Sequence, residues 1–363
     1  MILKKISLPF KVNKPILALG AQTKNTLCFA KGNLAYLGPA HSDLNNPQDL
    51  YAFEKEAKYF LKKKPRVIAC DLHPEYQSTK FALNLDPTGH RRQPVQHHHA
   101  HISSCMVENK LPNQKVIGVA FDGTGLGDDG TLWGGEFLIC NYQRYQRMAH
   151  LKQIPLLGAE EAIRQPWRLA CAWLDFKFYP AFYKKEWQGL KKMYALNFNT
   201  PATSSMGRLF DAVGSLVLKK YQVSQEAELA MELESLASRY TLHATRYSFN
   251  IHKKAGIHII DPKMMFRQIV TDLKAAEAKE KIAYRFHQTV AAMIQQTCII
   301  LRKKSTINQV ILSGGVFQNK LLLDLSLELL CNTGFNVTTH KEISSSDSAL
   351  SLGQAAVANY LRR

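Results

Sequence analysis

The sequence of 363 residues has no CxxC pair of cysteines, no apolar run of membrane-spanning length and comparatively few acidic residues. Without CxxC pairs, a zinc ribbon or a redox dithiol is not expected. A membrane-spanning helix needs about 18 or more consecutive apolar residues, and no stretch of the chain reaches that length. The first residues, MILKKISLPFKVNK, place charges inside any apolar segment and offer no small-residue cleavage site, unlike a secretory signal. These absences predict a cytoplasmic protein without a membrane partner.

The shortage of acidic residues leaves a strongly basic chain. Asp and Glu number 29 against 47 Lys and Arg, for a formal net charge of +18. A surface of this sign attracts nucleic acid, phosphorylated ligands or acidic proteins. Most of the basic residues lie in scattered pairs, with one tighter run at 62–66. Because charge patterning is weak evidence, a solvated basic surface is the simpler interpretation, and nucleic acid is the less favoured partner.

The seven cysteines are odd in number and widely separated along the chain. This arrangement does not suggest a disulfide framework, and reduced thiols in a protein core are expected instead. With 46% hydrophobic residues, a chain of this length can bury a sizeable core without disulfides.

Two stretches of the chain follow a similar strand, turn and strand pattern. In the first, apolar runs are separated by predicted turns at Thr23–Asn25 and Lys31–Asn33. In the second, predicted strands at Val116–Phe121 and Glu136–Asn141 flank a turn that is rich in Gly and Asp. Such a unit at the start of each half of a chain, followed by helices, is typical of two-lobed nucleotide-binding folds of the actin and sugar-kinase type.

The other segments alternate between helices and strands, which predicts an α/β fold with a parallel or mixed sheet. Helices are predicted from Pro47, at the histidine run, at Ser204–Leu218, Ser224–Tyr240, Ala275–Arg302 and Gln318–Leu330, and from about Ser346. Buried strands are predicted for RVIACDL, QVILSG and FNVTTH. We therefore expect two lobes, 1–114 and 115–363, that each contain a β-hairpin and helices, with the region after the second hairpin mostly helical.

The run VQHHHAHI, with its four histidines, is the most distinctive motif and lies at the start of a predicted helix. His97 and His101 are four residues apart, so their side chains project from one helix face at a spacing that allows two imidazoles to bind one metal ion. A single histidine is more often a satisfied core residue. Four neighbouring histidines favour a site for a metal ion or a phosphate.

Two imidazoles leave coordination positions that carboxylates can fill. Asp122 follows a predicted strand and precedes glycines that let the backbone approach a ligand, although it could instead serve only the turn. Asp347 lies at the head of the last predicted helix, where a simple helix-capping role is equally consistent with the sequence. Both are candidate metal ligands.

A phosphate site is predicted where Ser313, Gly314 and Gly315 end a buried strand ahead of a helix. Free backbone N–H groups and the helix dipole attract an anion at such a position. The motif lacks the GK[ST] ending of a P-loop. The glycines of the second hairpin are candidates for the opposite wall of a nucleotide site: Gly123, Gly125, Gly127, Gly130, Gly134 and Gly135.

The predicted helix MGRLFDAVGSLVL places Gly207, Asp211 and Gly214 along one face. A carboxylate between two glycines forms a notch that suits the hydroxyls of a ribose. In the alternative interpretation, Asp211 faces solvent on a helix that packs closely through its glycines.

Seven strings, in this order, resemble the carbamoyltransferase domain of the HypF hydrogenase maturation proteins: KNTLCFAKG, CDLHPEYQST, VQHHHAH, FDGTGLGDDGTLWGGE, AIRQPWRLA, GRLFDAVGSL and LSGGVFQNK. The resemblance extends from about Ile16 to Leu361. It implies the two-lobed actin/Hsp70-like fold that this domain shares with antibiotic O-carbamoyltransferases and with tRNA-modifying relatives.

The resemblance also implies a set of site residues. Metal ligands are implied at His97, His101, Asp122 and Asp347, with catalytic roles for His97, His101 and Asp122. Nucleotide contacts are implied at Thr124, Gly135, Asp211, Gly314, Gly315 and Asn319. The chain departs from the family pattern at Leu126, where a tyrosine is usual, and at Glu228, where glutamine is usual.

The function implied is transfer of a carbamoyl group from carbamoyl-adenylate, itself made from carbamoyl phosphate and ATP, with the help of Fe or Zn. The expected acceptor is a C-terminal cysteine of a partner protein in [NiFe]-hydrogenase maturation. Because the adenylate-forming domains of longer relatives have no counterpart in this sequence, a separate protein is expected to supply the donor. A small-molecule hydroxyl as acceptor, or a nucleotide-binding module related to tRNA modification, are the alternatives.

Overall fold

The computed structural model describes residues 4–86, 88–240 and 244–361. Its first part consists of a four-stranded sheet with helices. The elements are β1 (Lys4–Ala18), β2 (Thr23–Asn25), β3 (Cys28–Leu37), β4 (His41–Asp43), α1 (Pro47–Leu61), β5 (Val67–Asp71), α2 (Gln77–Asn84), β6 (Arg91–Val95) and α3 (His97–Glu108). The strand order is β3-β1-β5-β6, with β2 and β4 paired separately. Helix α1 begins as predicted, because the Asn46 side chain caps the backbone N–H of Gln48 and Pro47 occupies the first turn.

The predicted turn at Lys31–Asn33 is wrong, because β3 runs through it without a break. Gly32 pairs with Val12 of β1 at an irregularity in the register, and its φ of +60° is one that glycine adopts without strain. The turn signal therefore marks a bulge. Thr23–Asn25 is likewise a short strand that pairs with β4, not a turn.

The second part contains the larger sheet and most of the helices. Its elements are β7 (Val116–Leu126), β8 (Leu132–Cys140), β9 (Tyr145–Leu151), β10 (Ile154–Pro155), α4 (Glu160–Arg164), α5 (Trp167–Trp173), α6 (Lys184–Ala195), β11 (Ala202–Thr203), α7 (Met206–Leu218), α8 (Glu228–Ala237), β12 (Asn250–Lys254), β13 (Ile257–Asp261), α9 (Lys263–Lys274), α10 (Lys279–Ser305), β14 (Gln309–Ser313), α11 (Lys320–Asn332), β15 (Asn336–Thr338) and α12 (Leu350–Tyr360). Short 3-10 helices lie at Ala181–Tyr183, Gly315–Gln318 and Asp347–Ala349.

Strands of the second sheet are ordered β12-β13-β9-β8-β7-β14-β15, with β10 and β11 attached beside β8. The prediction of a mostly helical region is wrong for β12 and β13, which pair as an antiparallel hairpin at the edge of this sheet. Strand β12, NIHKK, is polar and largely exposed, so it lacks the apolar alternation that would reveal a strand. The helix predicted at Ala275–Arg302 corresponds to α10, which begins four residues later at Lys279 and ends at Ser305, whereas α9, which ends at Lys274, was not predicted.

The two sheets are joined by α3 and α12, which pack against each other. One continuous core contains Ile16 of β1, Ile102 of α3, Val116 of β7 and Leu352 of α12. The ideal Cβ position at Gly353 lies only 1.8 Å from the backbone carbonyl oxygen of Ala100, so the two helices touch through their backbones. A lobe boundary between residues 114 and 115 stays a prediction, and this core crosses it.

None of the helices in the described ranges combines the length and the apolar character that a membrane span requires. All seven cysteines lie in the described part of the chain as free thiols, and all except Cys331 are buried. The expectation of reduced core cysteines therefore holds for these six.

We expect Gly353→Ala to lower the free energy of unfolding by about 3 kcal/mol, because the added methyl group must separate α12 from α3. Urea denaturation of wild type and variant measures the change. Gly189→Ala is the matched control, since the Cβ position at Gly189 on exposed α6 meets no atom within 4 Å. It should raise the free energy of unfolding by about 0.5–1 kcal/mol. Equal effects of the two substitutions would contradict the close contact.

Candidate active site

Four side chains that can hold a metal ion meet where α3, β7 and the segment before α12 come together. His97 and His101 lie on the first two turns of α3, Asp122 lies on β7 and Asp347 opens the last 3-10 helix. Their four ligand atoms lie within 4.8 Å of one another. The structure thus brings together all four residues that the sequence analysis singled out as ligands.

The imidazoles and carboxylates of this cluster face one another at short range. His97 Nε2 lies 3.1 Å from Asp122 Oδ2 and 3.5 Å from Asp347 Oδ1. His101 Nε2 lies 3.3 Å from Asp122 Oδ2 and 3.2 Å from Asp347 Oδ1. The histidine side chains are 0% exposed, whereas those of Asp122 and Asp347 are 12% and 16% exposed. The carboxylates therefore form the side of the cluster that solvent can reach.

Helix α3 starts at His97 because the preceding residue, Gln96, caps it. The Gln96 side-chain oxygen accepts a hydrogen bond from the backbone N–H of His99 at 2.9 Å. This cap fixes the first turn, so His97 and His101 project toward the same point, one turn apart.

Asp122 lies where β7 leaves its regular pairing with β8, at a register shift between Phe121 and Gly125. Such bulges redirect side chains next to functional sites. Asp122 Oδ1 accepts a hydrogen bond from the backbone N–H of Gly315 at 3.3 Å, which leaves Oδ2 facing the imidazoles. Gly314 has a φ of +105°, and a Cβ there would lie 2.2 Å from the Phe121 carbonyl oxygen. Glycine at this position therefore lets the turn approach Asp122.

The sequence analysis missed Asp71, which orients one of the two imidazoles. Asp71 ends β5, and its Oδ2 accepts a hydrogen bond from His97 Nδ1 at 2.8 Å, with both side chains fully buried. Carboxylates commonly hold the second nitrogen of a metal-binding histidine in this way, so that its other nitrogen presents a lone pair. The available signal was an aspartate at the end of a buried strand, as at Asp122.

The electrostatics of the cluster favour positive charge between the carboxylates. Burial by itself lowers the pKa of His97, but Asp71, Asp347 and Asp122 raise it well above the ordinary value. Burial by itself raises the pKa of Asp122, but the facing imidazoles of His101 and His97 bring it well below its usual range. Protons or a cation can supply the positive charge that this arrangement stabilises.

The two histidines between these ligands have other partners. Burial lowers the pKa of His98 well below its ordinary value, and its Nδ1 lies 3.1 Å from the Gln96 side-chain nitrogen. Burial also lowers the pKa of His99 to about 4, and its Nε2 donates to the Asn141 carbonyl oxygen at 2.6 Å. Both rings are therefore neutral near pH 7 and lie outside the four-residue cluster.

The donor set fits a divalent metal of borderline hardness. Two imidazole nitrogens with two carboxylate oxygens suit Zn²⁺ or Fe²⁺ and leave room for an exchangeable ligand. Within the described residues, Nε2 of His101 is buried and makes no hydrogen bond of acceptable geometry, although both carboxylates lie close to it. A buried lone pair without a donor is the arrangement that a metal ligand requires.

Asp211 does not face solvent, so the alternative interpretation of its helix is wrong on this point. It is only 5% exposed and lies 2.9 Å from Arg208 Nε in a buried ion pair. Burial and Glu226 raise the pKa of Asp211, and Arg208 opposes this shift. Gly214 has a packing explanation, because a Cβ there would lie 2.6 Å from Leu229 of α8.

The other predicted nucleotide contacts differ in their surroundings. Gly315 adjoins Asp122, and the Thr124 hydroxyl donates to the Gly123 carbonyl oxygen at 2.6 Å. Asn319 caps α11 through Oδ1, and its amide nitrogen faces His287 at 3.0 Å. A Cβ at Gly135 would lie 2.5 Å from the Ser204 carbonyl oxygen, which makes this glycine a packing requirement. Their contact with a nucleotide stays a prediction.

Comparisons with known proteins agree with this architecture. Residues 11–108 match the family model described as the HypF Kae1-like domain. Residues 118–354 match the one described as the carbamoyltransferase Kae1-like domain, second subdomain. The predicted α/β fold of the Kae1-like type is confirmed.

Curated relatives and a solved structure that are named HypF align with nearly the whole chain. The carbamoyltransferase HypF of Synechocystis sp. is 33% identical over 96% of this chain and 48% of the relative. A carbamoyltransferase HypF homolog of Cupriavidus necator is 31% identical over 95% of this chain and 91% of the relative. A crystal structure of full-length HypF in a phosphate- and nucleotide-bound form matches with a TM-score of 0.92 and 39% identity, over 98% of this chain and 57% of the other.

The chain spans about half the length of most of these curated relatives, as it does for the HypF of Rhodobacter capsulatus, where it covers 47%. Both family models match in the expected order along the chain, and together they include all four residues of the metal-ligand cluster. The chain therefore belongs to the HypF carbamoyltransferase family, whose Kae1-like region it comprises.

Proposed function

We propose that this chain transfers a carbamoyl group from carbamoyl-adenylate to an acceptor, in a reaction that depends on a metal ion held by His97, His101, Asp122 and Asp347. The observation that carries the proposal is the convergence of these four ligand atoms within 4.8 Å. Membership of the HypF carbamoyltransferase family and likeness to a nucleotide-bound HypF structure support it.

A divalent ion bound there would act as a Lewis acid on an oxygen of the donor and stabilise charge that develops during transfer. The chain's own residues prepare that position. Asp71 holds His97 in one tautomer and one orientation, and the backbone N–H of Gly315 fixes Asp122 Oδ1. Because Asp122 and Asp347 lie on the accessible side, the donor approaches over these carboxylates.

The expected acceptor is a C-terminal cysteine of a hydrogenase maturation partner. A bond forms between its sulfur and the carbamoyl carbon, and the bond from that carbon to the phosphate oxygen breaks. AMP leaves with the electron pair of the broken bond, and the thiol proton passes to solvent. No nucleophile of this chain is required, since the activated donor already carries a good leaving group.

A separate protein is the proposed source of the carbamoyl-adenylate, and the two family models that match describe the Kae1-like region as the part present here. The net charge of +18 would favour capture of this anionic donor or of an acidic partner, and such steering weakens with salt.

We expect purified wild type to hold about one divalent metal per chain, and His97→Ala/His101→Ala to lose it, because two of four ligands are removed. Metal analysis of both proteins tests this. His99→Gln is the matched control from the same histidine run, since His99 bonds the Asn141 carbonyl oxygen outside the cluster. Equal metal content in wild type and the double variant would refute the site.

We expect AMP to bind with Asp211 near its ribose, and Asp211→Ala to weaken binding by about 1.5–3 kcal/mol, the range for hydrogen bonds to charged groups. Isothermal titration calorimetry gives the affinities. Asp272→Ala serves as control, because Asp272 pairs with Arg285 in the same part of the chain, away from the cluster. Unchanged AMP affinity in Asp211→Ala would place Asp211 outside the nucleotide site.

With carbamoyl phosphate, ATP and an acceptor alone, the chain should be nearly inactive. With carbamoyl-adenylate, or with a protein that makes it, we expect transfer that is lost in Asp122→Asn. A radiolabelled carbamoyl assay with thiol and hydroxyl acceptors measures both conditions. Robust transfer from carbamoyl phosphate and ATP would contradict the need for a separate source, and no transfer from carbamoyl-adenylate to any acceptor would contradict the proposed activity.

A further inference from the structure

Glu108, the last residue of α3, lies in an unusual position for an acidic side chain. The helix dipole disfavours negative charge at a C-terminus, and the Glu108 side chain is only 7% exposed. Its burial must therefore be compensated by specific partners.

Those partners belong to the segment that leads to Asp347. Glu108 Oε1 accepts hydrogen bonds from the backbone N–H groups of Lys341, Glu342 and Ile343. Its Oε2 accepts one from His340 Nδ1 at 2.6 Å. Although burial raises the pKa of Glu108, these hydrogen bonds lower it to about 2, so the carboxylate is ionised. One side chain of α3 thus organises the beginning of the loop at 340–346.

The other nitrogen of His340 reaches back to α3 through Ser313. His340 Nε2 lies 2.9 Å from Ser313 Oγ, and that hydroxyl donates to the backbone carbonyl oxygen of His101 at 2.9 Å. Since the single hydroxyl hydrogen is used there, Ser313 accepts from Nε2–H of His340. The His340 ring therefore bridges the Glu108 carboxylate and the Ser313 hydroxyl through its two nitrogens.

This chain of contacts connects the three segments that carry or flank the metal ligands. Glu108 and His101 are on α3, Ser313 ends β14 next to the Gly314 turn, and His340 begins the loop that ends at Asp347. The Gly314 backbone N–H also bonds the Ser345 carbonyl oxygen at 3.1 Å, close to Asp347. Movement of the loop relative to α3 would change the separation of Asp347 from His101.

We propose that Glu108, His340 and Ser313 form a positioning relay that holds Asp347 at metal-binding distance from the two histidines of α3. The proposal rests on the metal site of the proposed function and adds three residues to it. Ser313, His340 and Glu108 resemble a hydrolytic triad in order, but Ser313 is 0% exposed, so no substrate can reach its hydroxyl. The three residues act through the ligands and do not touch a substrate.

The test is a titration of metal-free protein with Zn²⁺ by isothermal calorimetry, on wild type, Glu108→Gln and Ser313→Ala. Glu108→Gln should raise the Kd for Zn²⁺ by about 10- to 100-fold, the usual effect of removing a group that orients metal ligands. Ser313→Ala, which removes only one hydroxyl, should raise it less. If Glu108→Gln does not yield folded protein, Ser313→Ala provides the same comparison.

The matched control is Glu56→Gln. Glu56 and His41 form another buried glutamate and histidine pair, with side chains 3% and 5% exposed and 3.0 Å between Oε2 and Nε2. Glu56 lies on α1 and His41 on β4, and neither element carries a ligand of the cluster. Glu56→Gln should destabilise the fold but leave the Kd for Zn²⁺ within about twofold of wild type, as expected for independent sites.

A second readout does not depend on metal. Hydrogen exchange of the amides of Lys341, Glu342 and Ile343 should accelerate in Glu108→Gln and stay slow in Glu56→Gln. Faster exchange with a weaker Kd supports the relay. An unchanged Kd in Glu108→Gln overturns it while the metal site stands. Wild type that takes up no Zn²⁺ overturns both the metal site and the relay.

Discussion

The negative charge of two carboxylates has to be balanced in the cluster of His97, His101, Asp122 and Asp347. Much of the surrounding structure serves that requirement. Two carboxylates within 4.8 Å of two imidazoles would be costly if their charge were uncompensated. A capped helix, a bulged strand and a close glycine turn place these four groups. Asp71 adds a third carboxylate behind His97, which strengthens the preference of the cluster for positive charge.

The same cluster explains why distant parts of the chain must be locked together. Its ligands come from an N-terminal helix, a central strand and a C-terminal segment, so three separate interfaces set their spacing. Gly353 lets α12 touch α3 through the backbone. The next residue, Gln354, forms hydrogen bonds through its side chain with both the N–H and the carbonyl of Gly20, at 2.9 and 3.2 Å. Close backbone contact and buried hydrogen bonds thus hold α12 against the first part of the chain.

Local patterns in the sequence predicted the ligands well. Helical spacing places His97 and His101 on one face of α3, and Asp122 follows a run that the sequence marks as a buried strand. The partner of His97, Asp71, is 26 residues away in sequence, and no local pattern specifies which strand end adjoins a given helix. Gly32 carried a turn signal that tertiary pairing with Val12 converted into a bulge. Strand β12 is polar and largely exposed, so its sequence shows no strand pattern. It is a strand because β13 pairs with it. The burial of Asp211 depends on Arg208, and an ion pair of this kind is not specified by helical periodicity.

The burial of the cysteines also bears on how such a protein would avoid modifying itself. A carbamoyl donor with a good leaving group reacts with thiolates, and the thiolate rather than the thiol is the nucleophile. Burial raises the pKa of Cys28, Cys70 and Cys140 to about 12, so these thiols stay protonated and are shielded from solvent. Cys331 is the exposed exception among the seven, and it lies on α11, outside the metal-ligand cluster. Burial therefore leaves these core thiols poorly reactive toward an activated carbamoyl group.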